Sequence, residues 1–321
     1  MSEEVLKLII TDEDHNNFKR LDAYLADKCT DISRTNIKKL FEQGKIKSTQ
    51  KLEIKKLPPI GTEINIIIPE PAQTNLIAEN IPLEILYEDE YLMIINKPAG
   101  LVVHPAPGNY TGTLVNAILF HCDDLKGIGH EMRPGIVHRL DKGTSGVMVV
   151  AKEQTTHTAL VELFSSHNIE RKYEAICLGT QLPDKDTAKS LIGRNPGNRL
   201  KMTSKVTNGK EAITHLKVLE GFKYFSHIEL TLETGRTHQI RVHMSELYNS
   251  PLLNDHTYGR IKEERRLYST EVKHLLLNYE HPFLHAKILG FKHPKTKQNL
   301  FFETAPPDIF ITVLNQLRQD Q

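Results

Sequence analysis

Residues 135–152 read GIVHRLDKGTSGVMVVAK, and the fold turns on how this stretch changes character midway. Its second half, GVMVVAK at 146–152, is an apolar run of strand length, and such a run belongs inside a sheet covered on both faces. Between the halves lies KGTSG, a turn of Gly, Thr and Ser. Asp141 stands at the junction. A carboxylate at the mouth of a buried strand has fixed geometry and can still face a cleft. Taken alone, an Asp before a Gly-containing turn is ordinarily a solvated turn residue. Its meaning therefore depends on what else in the chain can reach it.

Outward from this stretch, strands dominate with a few helices between them. EYLMIINKP (90–98) reads as a strand ended by Pro98 and Gly100. TLVNAILFH (113–121) and TTHTALVELFSSH (155–167) read as helices, the second with Leu160, Leu163 and Phe164 inward. RKYEAICLG (171–179) is predicted as a strand alternating Tyr173, Ala175 and Cys177 against Lys172, Glu174 and Ile176. FSHIELTLETG (225–235) and LHAKILGF (284–291) add strands. There is no regular strand–helix alternation, no dinucleotide or phosphate-loop glycine pattern, and no internal repeat. An α+β fold with a mixed, mostly antiparallel sheet is predicted.

The stretch LETGRTHQIRVHM (232–244) crowds arginines and histidines together. Ile240, Val242 and Met244 alternate with Arg241 and His243, and Arg241 on such an element is placed to pair with a buried carboxylate. The spacing of His238 and His243 lacks the glutamate and third ligand of a zinc motif, so both read as structural histidines and no metal is expected. The three cysteines, Cys29, Cys122 and Cys177, are far apart and odd in number, which argues against a disulfide framework and for a reducing compartment. The acidic start MSEEVLKLIITDEDH has no signal-peptide character, and no apolar run reaches membrane length. A cytoplasmic location without membrane contact is expected.

The first third of the chain reads differently. RLDAYLADK (20–28) places Leu21, Tyr24 and Leu25 on one helical face. A second helix is predicted from the N-cap Ser33 to Gly44, with Ile37, Leu40 and Phe41 as its apolar stripe. KIKSTQKLEI and EINIII then look like strands around the loop KKLPPIGT. Segment 33–56 holds eight basic residues, Arg34, Lys38, Lys39, Lys45, Lys47, Lys51, Lys55 and Lys56, against Glu42 and Glu53, a net of +6 in a chain of net +1. Such a patch suits a polyanion, although a Lys-rich helix can also be merely solvated. PEPAQTNLIAENIP (69–82), with three prolines, reads as a linker. Two units are predicted, 1–75 and 83–321.

Four stretches in order, NKPAGLVVHP, HRLDKGTSG, RKYEAICLG and TGRTHQIRVH, together with LHA and HPKT near the end, resemble the RluA family of pseudouridine synthases over roughly 83–305. The leading unit resembles an S4 RNA-binding domain, and LVVHPAPGNYTGTLVNAIL resembles the large-subunit pseudouridine synthase D branch. The resemblance implies an S4-type helix–helix–hairpin domain, then a catalytic domain with a bent sheet. It implies isomerisation of uridine to pseudouridine in structured RNA, large-subunit ribosomal RNA or its precursor particle, by a monomer with neither cofactor nor metal. Carried over by position, Asp141 matches the catalytic aspartate, Tyr173 the tyrosine against the uracil ring, and Arg241 the arginine that pairs with the aspartate. Arg139 matches the residue that replaces the flipped base in the stack. Arg34, Lys38, Lys39 and Lys45 are then the expected RNA-docking residues of the leading unit.

The sequence departs from the family at Asn254, where Gly is usual, and after Thr296, where Gly-Glu is frequent. KIKST also replaces the usual V-x-V-N-G of S4 domains. The alternative reading is an RNA-binding or ribosome-assembly factor without catalysis. A pure binder has no physical need for Asp141 in an RNA groove, because a carboxylate repels phosphate.

Overall fold

The computed structural model describes residues 4–320 except 30, 31, 33, 69–75, 106–108, 123, 124, 126, 131, 132 and 199. Residues 4–68 have a core of their own. The elements are β1 (Glu4–Ile9), α1 (Asp12–Asn17), α2 (Leu21–Lys28), α3 (Arg34–Glu42), β2 (Ile46–Ser48) and β3 (Glu63–Ile68). Leu21, Tyr24 and Leu25 of α2 pack with Ile37 and Leu40 of α3 onto Ile46, Ile64 and Ile66. The two expected helices and the β2–β3 pair are present. The first hairpin strand is shorter than predicted, covering Ile46–Ser48 alone. The predicted cap Ser33 and linker residues 69–75 lie outside the described residues.

Within residues 4–68, two elements are not foreseen from the sequence. β1 pairs with the other edge of β3, giving the antiparallel order β1-β3-β2. Its apolar residues fall on both faces, with Val5 and Ile9 exposed, so it shows no clean alternation. Helix α1 starts at a reciprocal cap. The Asp14 N–H donates to Thr11 Oγ1 at 3.3 Å, and Asp14 Oδ2 accepts from the Thr11 N–H at 3.0 Å.

The remainder is built on a ten-stranded sheet. Its elements are β4 (Glu84–Glu88), β5 (Leu92–Lys97), α4 (Leu114–His121), the short pair β6 (Gly129–His130) and β7 (Arg133–Pro134), β8 (Ser145–Ala151), α5 (Gln154–Ser165) and β9 (Glu170–Leu178). Then follow β10 (Lys185–Arg194), β11 (Met202–Thr203), β12 (Lys210–Gly221), β13 (Phe225–Leu232), α6 (Gln239–Val242), α7 (Ile261–Leu267), α8 (Thr270–Leu275), β14 (Leu284–Lys292), β15 (Asn299–Glu303) and α9 (Asp308–Gln319). The order is β11-β10-β12-β13-β9-β14-β8-β5-β4, with β15 also on β14. Among the described residues only β14 and β8 run parallel, so the sheet is mixed and mostly antiparallel as predicted.

The central strands are buried on both faces. Met93, Ile95, Met148 and Val150 face α4, while Leu92, Ile94, Val147 and Val149 face Leu160 of α5. The same holds for β9, where Tyr173, Ala175 and Cys177 join one core and Ile176 another. The alternation read in RKYEAICLG therefore separates two cores, not core from solvent.

The alternation of Ile240, Val242 and Met244 with Arg241 and His243 is not that of a strand. Gln239–Val242 form one turn of α-helix, and His243–Leu247 continue as a π-helical turn. Ile240, Val242, Met244, Arg241 and His243 are all buried, so the apparent alternation is a helix submerged on every side. None of the three cysteines takes part in a disulfide. Among the described residues no helix is long and apolar enough to cross a membrane.

Candidate active site

Asp141 lies in the turn between β7 and β8. Its carbonyl accepts the Thr144 N–H at 3.0 Å, and the neighbouring Lys142 carbonyl accepts the Gly100 N–H at 2.8 Å. Lys97, the last residue of β5, is fully buried. Its Nζ donates to the carbonyls of Pro98 at 2.8 Å, Leu101 at 2.9 Å and Lys142 at 3.4 Å. Burial pushes the Lys97 pKa down to about 7, against the opposing pull of the Asp141 charge. The NKPAG stretch thus clamps the turn that carries Asp141.

Tyr173 is buried on β9 with Ala286 of β14 beside it in register. Burial raises its pKa, keeping the hydroxyl protonated. Arg241 reaches from α6 to Asp141, Nη1 to Oδ2 at 3.5 Å. This is not its main partner. Its Nε and Nη2 donate to the two oxygens of Asp255, each at 2.7 Å. The expected Asp141–Arg241 pair is therefore one arm of a buried Asp141–Arg241–Asp255 row. Asp255 is fully buried and also accepts the N–H groups of Thr257 at 2.9 Å and Tyr258 at 3.0 Å. Burial opposes both charges. The paired hydrogen bonds and mutual attraction outweigh it, holding Arg241 above its ordinary pKa and Asp255 below.

A histidine completes the surroundings of Asp141. His238 Nε2 is 3.9 Å from the same Oδ2 that Arg241 approaches. Its Nδ1 meets the Tyr258 hydroxyl at 2.8 Å, and that hydroxyl accepts the Met202 N–H at 2.7 Å. His238 sits at φ +57°, a left-handed conformation costly for a residue with a Cβ, at the entry to α6. That backbone turn aims both His238 and Arg241 at one carboxylate.

These groups line one cavity of about 580 Å³. Asp141, Tyr173, Arg139 and Arg241 all border it, so the four residues singled out from the sequence of the larger unit come together. Arg139 is exposed, with Nη1 3.5 Å from His104 Nε2. Among the described residues, five arginines line the cavity and Asp141 is its one lining carboxylate. Of the candidate docking residues of the leading unit, Lys38 and Lys45 are not among its lining. Lys38 is exposed, 3.8 Å from Asp22, and Lys45 is half-buried. The side chains of Arg34 and Lys39 lie outside the described residues.

Lys97, His238, Asp255 and Tyr258 were not picked out as site residues from the sequence. Without a zinc motif His238 reads as structural, and Asp255 stands out only as the neighbour of an unusual Asn254. Among the described residues, Glu88, His121 and Cys122 bring potential metal donors within 4.8 Å of one another. They do not line this cavity, and Lys152 already binds Glu88 at 2.7 Å.

A cavity lined by arginines around Asp141, on a mixed sheet, suits a polyanionic substrate. The RNA pseudouridylate synthase family model matches residues 91–246. An uncharacterized RNA pseudouridine synthase of Bacillus subtilis, YlyB, is 40% identical over 314 residues, 97% of this chain and 98% of that one. The ribosomal large subunit pseudouridine synthase D of Zymomonas mobilis is 43% identical over 300 residues, 90% of each chain. The solved structure of human RNA pseudouridylate synthase domain containing 4 superposes with a TM-score of 0.54 at 28% identity, covering 73% of this chain and 93% of that one. The chain belongs to the RluA family of RNA pseudouridine synthases. It is an isomerase that converts uridine to pseudouridine in RNA.

Proposed function

We propose that Asp141 is the nucleophile of this isomerase and that its substrate is a uridine of large-subunit ribosomal RNA, alone or in a precursor particle. The reaction breaks the C–N glycosidic bond, turns the uracil and rejoins it through carbon. A base inside a helical stack cannot be handled this way, so the nucleotide is extruded at a cost of a few kcal/mol. Arg139, exposed at the rim, refills the gap by stacking its planar cation on the neighbouring bases. Tyr173 offers a flat face and a protonated hydroxyl to the base that must rotate. Arg241, braced by Asp255, orients the Asp141 carboxylate from 3.5 Å away.

The single observation behind this reading is the convergence of Asp141, Tyr173 and Arg241 in a cavity where, among the described residues, Asp141 is the one lining carboxylate. The names of relatives such as the Zymomonas mobilis enzyme support large-subunit RNA as the substrate. Residues 4–68 act in this reading as an S4-type RNA-binding domain, docking structured RNA through Arg34, Lys38, Lys39 and Lys45. The enzyme works as a cytoplasmic monomer, without cofactor or metal.

Pseudouridine mapping of protein-free large-subunit RNA after incubation with the wild type and Asp141→Asn tests it. New pseudouridine with the wild type alone, at unchanged RNA affinity, is expected. Modification by Asp141→Asn would remove Asp141 from the mechanism, and modification confined to transfer RNA would overturn the substrate.

A further inference from the structure

Arg171 is an anomaly in the cavity wall. It is only 7% exposed, yet among the described residues no carboxylate pairs with it. Its Nη2 donates to the carbonyls of Leu232 at 3.3 Å and Glu233 at 2.7 Å, and the guanidinium lies 5.4 Å from the centre of the Phe164 ring. Its Nε is buried without a hydrogen-bond partner. Burial lowers its pKa, and the charge of nearby Arg236 works in the same direction.

Arg236 borders the same cavity and is tethered in the same way, its Nε donating to the Glu211 carbonyl at 2.8 Å. Between the two stands Gly235, where a side-chain carbon would come within 3.0 Å of Arg171 Nη1. Carbonyls hold these two guanidinium groups in place but do not neutralise them. Two like charges at one wall, one of them desolvated, repel each other until an anion arrives. A neutral base does not meet that need. A phosphodiester does, because its two free oxygens match the planar donor fork of arginine.

We infer that Arg171 and Arg236 form a phosphodiester-binding subsite, which seats a backbone phosphate of the RNA beside the nucleotide presented to Asp141. The inference rests on the reading of this cavity as the active site. The bare edge at Gly235 gives the phosphate access to Arg171 Nη1, and the Leu232 and Glu233 carbonyls keep that guanidinium from swinging away. The subsite works in the ground state as well as during reaction, so it holds the strand while the uracil turns.

The test is equilibrium binding of a large-subunit RNA fragment to the full chain over a series of salt concentrations, with steady-state turnover alongside. Arg171→Gln is expected to weaken binding roughly tenfold and to lower the slope of log affinity against log salt by about 0.7–0.9, as loss of one phosphate contact does. Its loss of activity falls in KM more than in kcat. Because Arg171→Gln also gives up two carbonyl contacts, Arg236→Gln provides an independent reading and is expected to lower the slope as well. An unchanged slope in folded variants, or a loss confined to kcat, overturns the subsite. Protection of the wild type by inorganic phosphate alone, with no effect of either substitution on RNA binding, overturns it too by assigning the pair to a free anion. Asp141→Asn separates this from the parent reading. If that variant still turns over, the Asp141 assignment fails while the slope result stands on its own.

Discussion

At the scale of single residues, Asp255 shows what the reading of the sequence could and could not reach. Asp141 and Arg241 were legible because their motifs name them. Asp255 was not, because its role depends on a contact fourteen residues away from Arg241 that no local pattern announces. The odd Asn254 beside it was a usable signal. It sits at φ +60°, where Gly is the easy choice and Asn the best-tolerated alternative, and its Nδ2 donates to the Tyr279 carbonyl at 2.6 Å. Lys297, after Thr296 where the family often has Gly, also stands at positive φ, +62°. Both departures thus keep the backbone that Gly usually serves.

Asp255→Asn should be costly for a stated reason. It removes the counter-charge from a buried guanidinium, a class of change that costs about 3–5 kcal/mol when nothing replaces it. Here Asp141 remains 3.5 Å away. Arg241 is therefore expected to swing toward Asp141 and tie up its carboxylate, lowering kcat by roughly 10²-fold, the scale of a displaced reacting group. RNA affinity should change little. Single-turnover kinetics with binding measured in parallel checks this, and a variant with wild-type kcat would mean that Asp255 does not position Arg241.

At the scale of elements, the strands and helices flanking the site were mostly legible and the short α6–π turn was not. Strand and helix periods emerge when one face is wet. The 239–247 segment is packed nearly all round, so its sequence carries no period to read. β8 was legible for the opposite reason, since an unbroken apolar run bounded by a turn points to a doubly covered strand.

The start of β8 also carries a testable constraint. Gly146 has φ +118° and opposes Ala286 in the parallel β8–β14 contact. A methyl group there would run into the Ala286 backbone. Gly146→Ala is expected to lose about 2–3 kcal/mol from backbone strain alone, with the collision added. Because Asp141 lies five residues before Gly146, displacement of this strand start should lower turnover as well as stability. Chemical denaturation and activity assays on the same preparation test both. Wild-type stability in Gly146→Ala would show that the two strands can separate freely at this point.

At the scale of the whole molecule, the half-buried His138 and the buried His243 contribute to the loss of stability in acid. His138 accepts the Val149 N–H at Nε2, 3.1 Å away, and stacks on Phe164 with ring centres 4.4 Å apart. Burial, helped by the Arg171 charge, pushes its pKa down to about 3. His243, bonded to Thr214 and Ser190, is pushed down to about 4 by burial. The unfolded chain protonates both near pH ~6.5 while the folded chain does not. Below that value the unfolded state binds more protons, so stability falls as pH drops from about 6.5 toward the folded values. Denaturation midpoints at pH 7.5 and 5.0 are expected to differ in that direction. The difference should shrink in His138→Gln, whose side-chain oxygen can accept the Val149 N–H without titrating; an undiminished difference would place the titration elsewhere.

Composition, charge and the proline-rich stretch all change near residue 75, which is why two units are expected from the sequence, and residues 4–68 hold a core of their own. The S4 reading of that unit supplies the final expectation. The chain from Leu76 onward is fastened to the larger core. Leu76 is buried in it, and Asn116 on α4 donates from Nδ2 to the Ile77 carbonyl at 2.7 Å. A variant lacking residues 1–75 therefore keeps every strand of the ten-stranded sheet and is expected to fold. It loses the +6 segment at 33–56. Each phosphate contact given up lowers the salt slope by about 0.7–0.9, so loss of several should reduce the slope by two or more units and weaken binding most at low salt. The cavity at Asp141 stays intact, and turnover on a short RNA fragment at saturating concentration should persist. A truncated chain that binds structured RNA with the full-length salt slope would show that the basic segment is a solvated surface. The larger unit, with its five cavity arginines, would then carry the docking by itself.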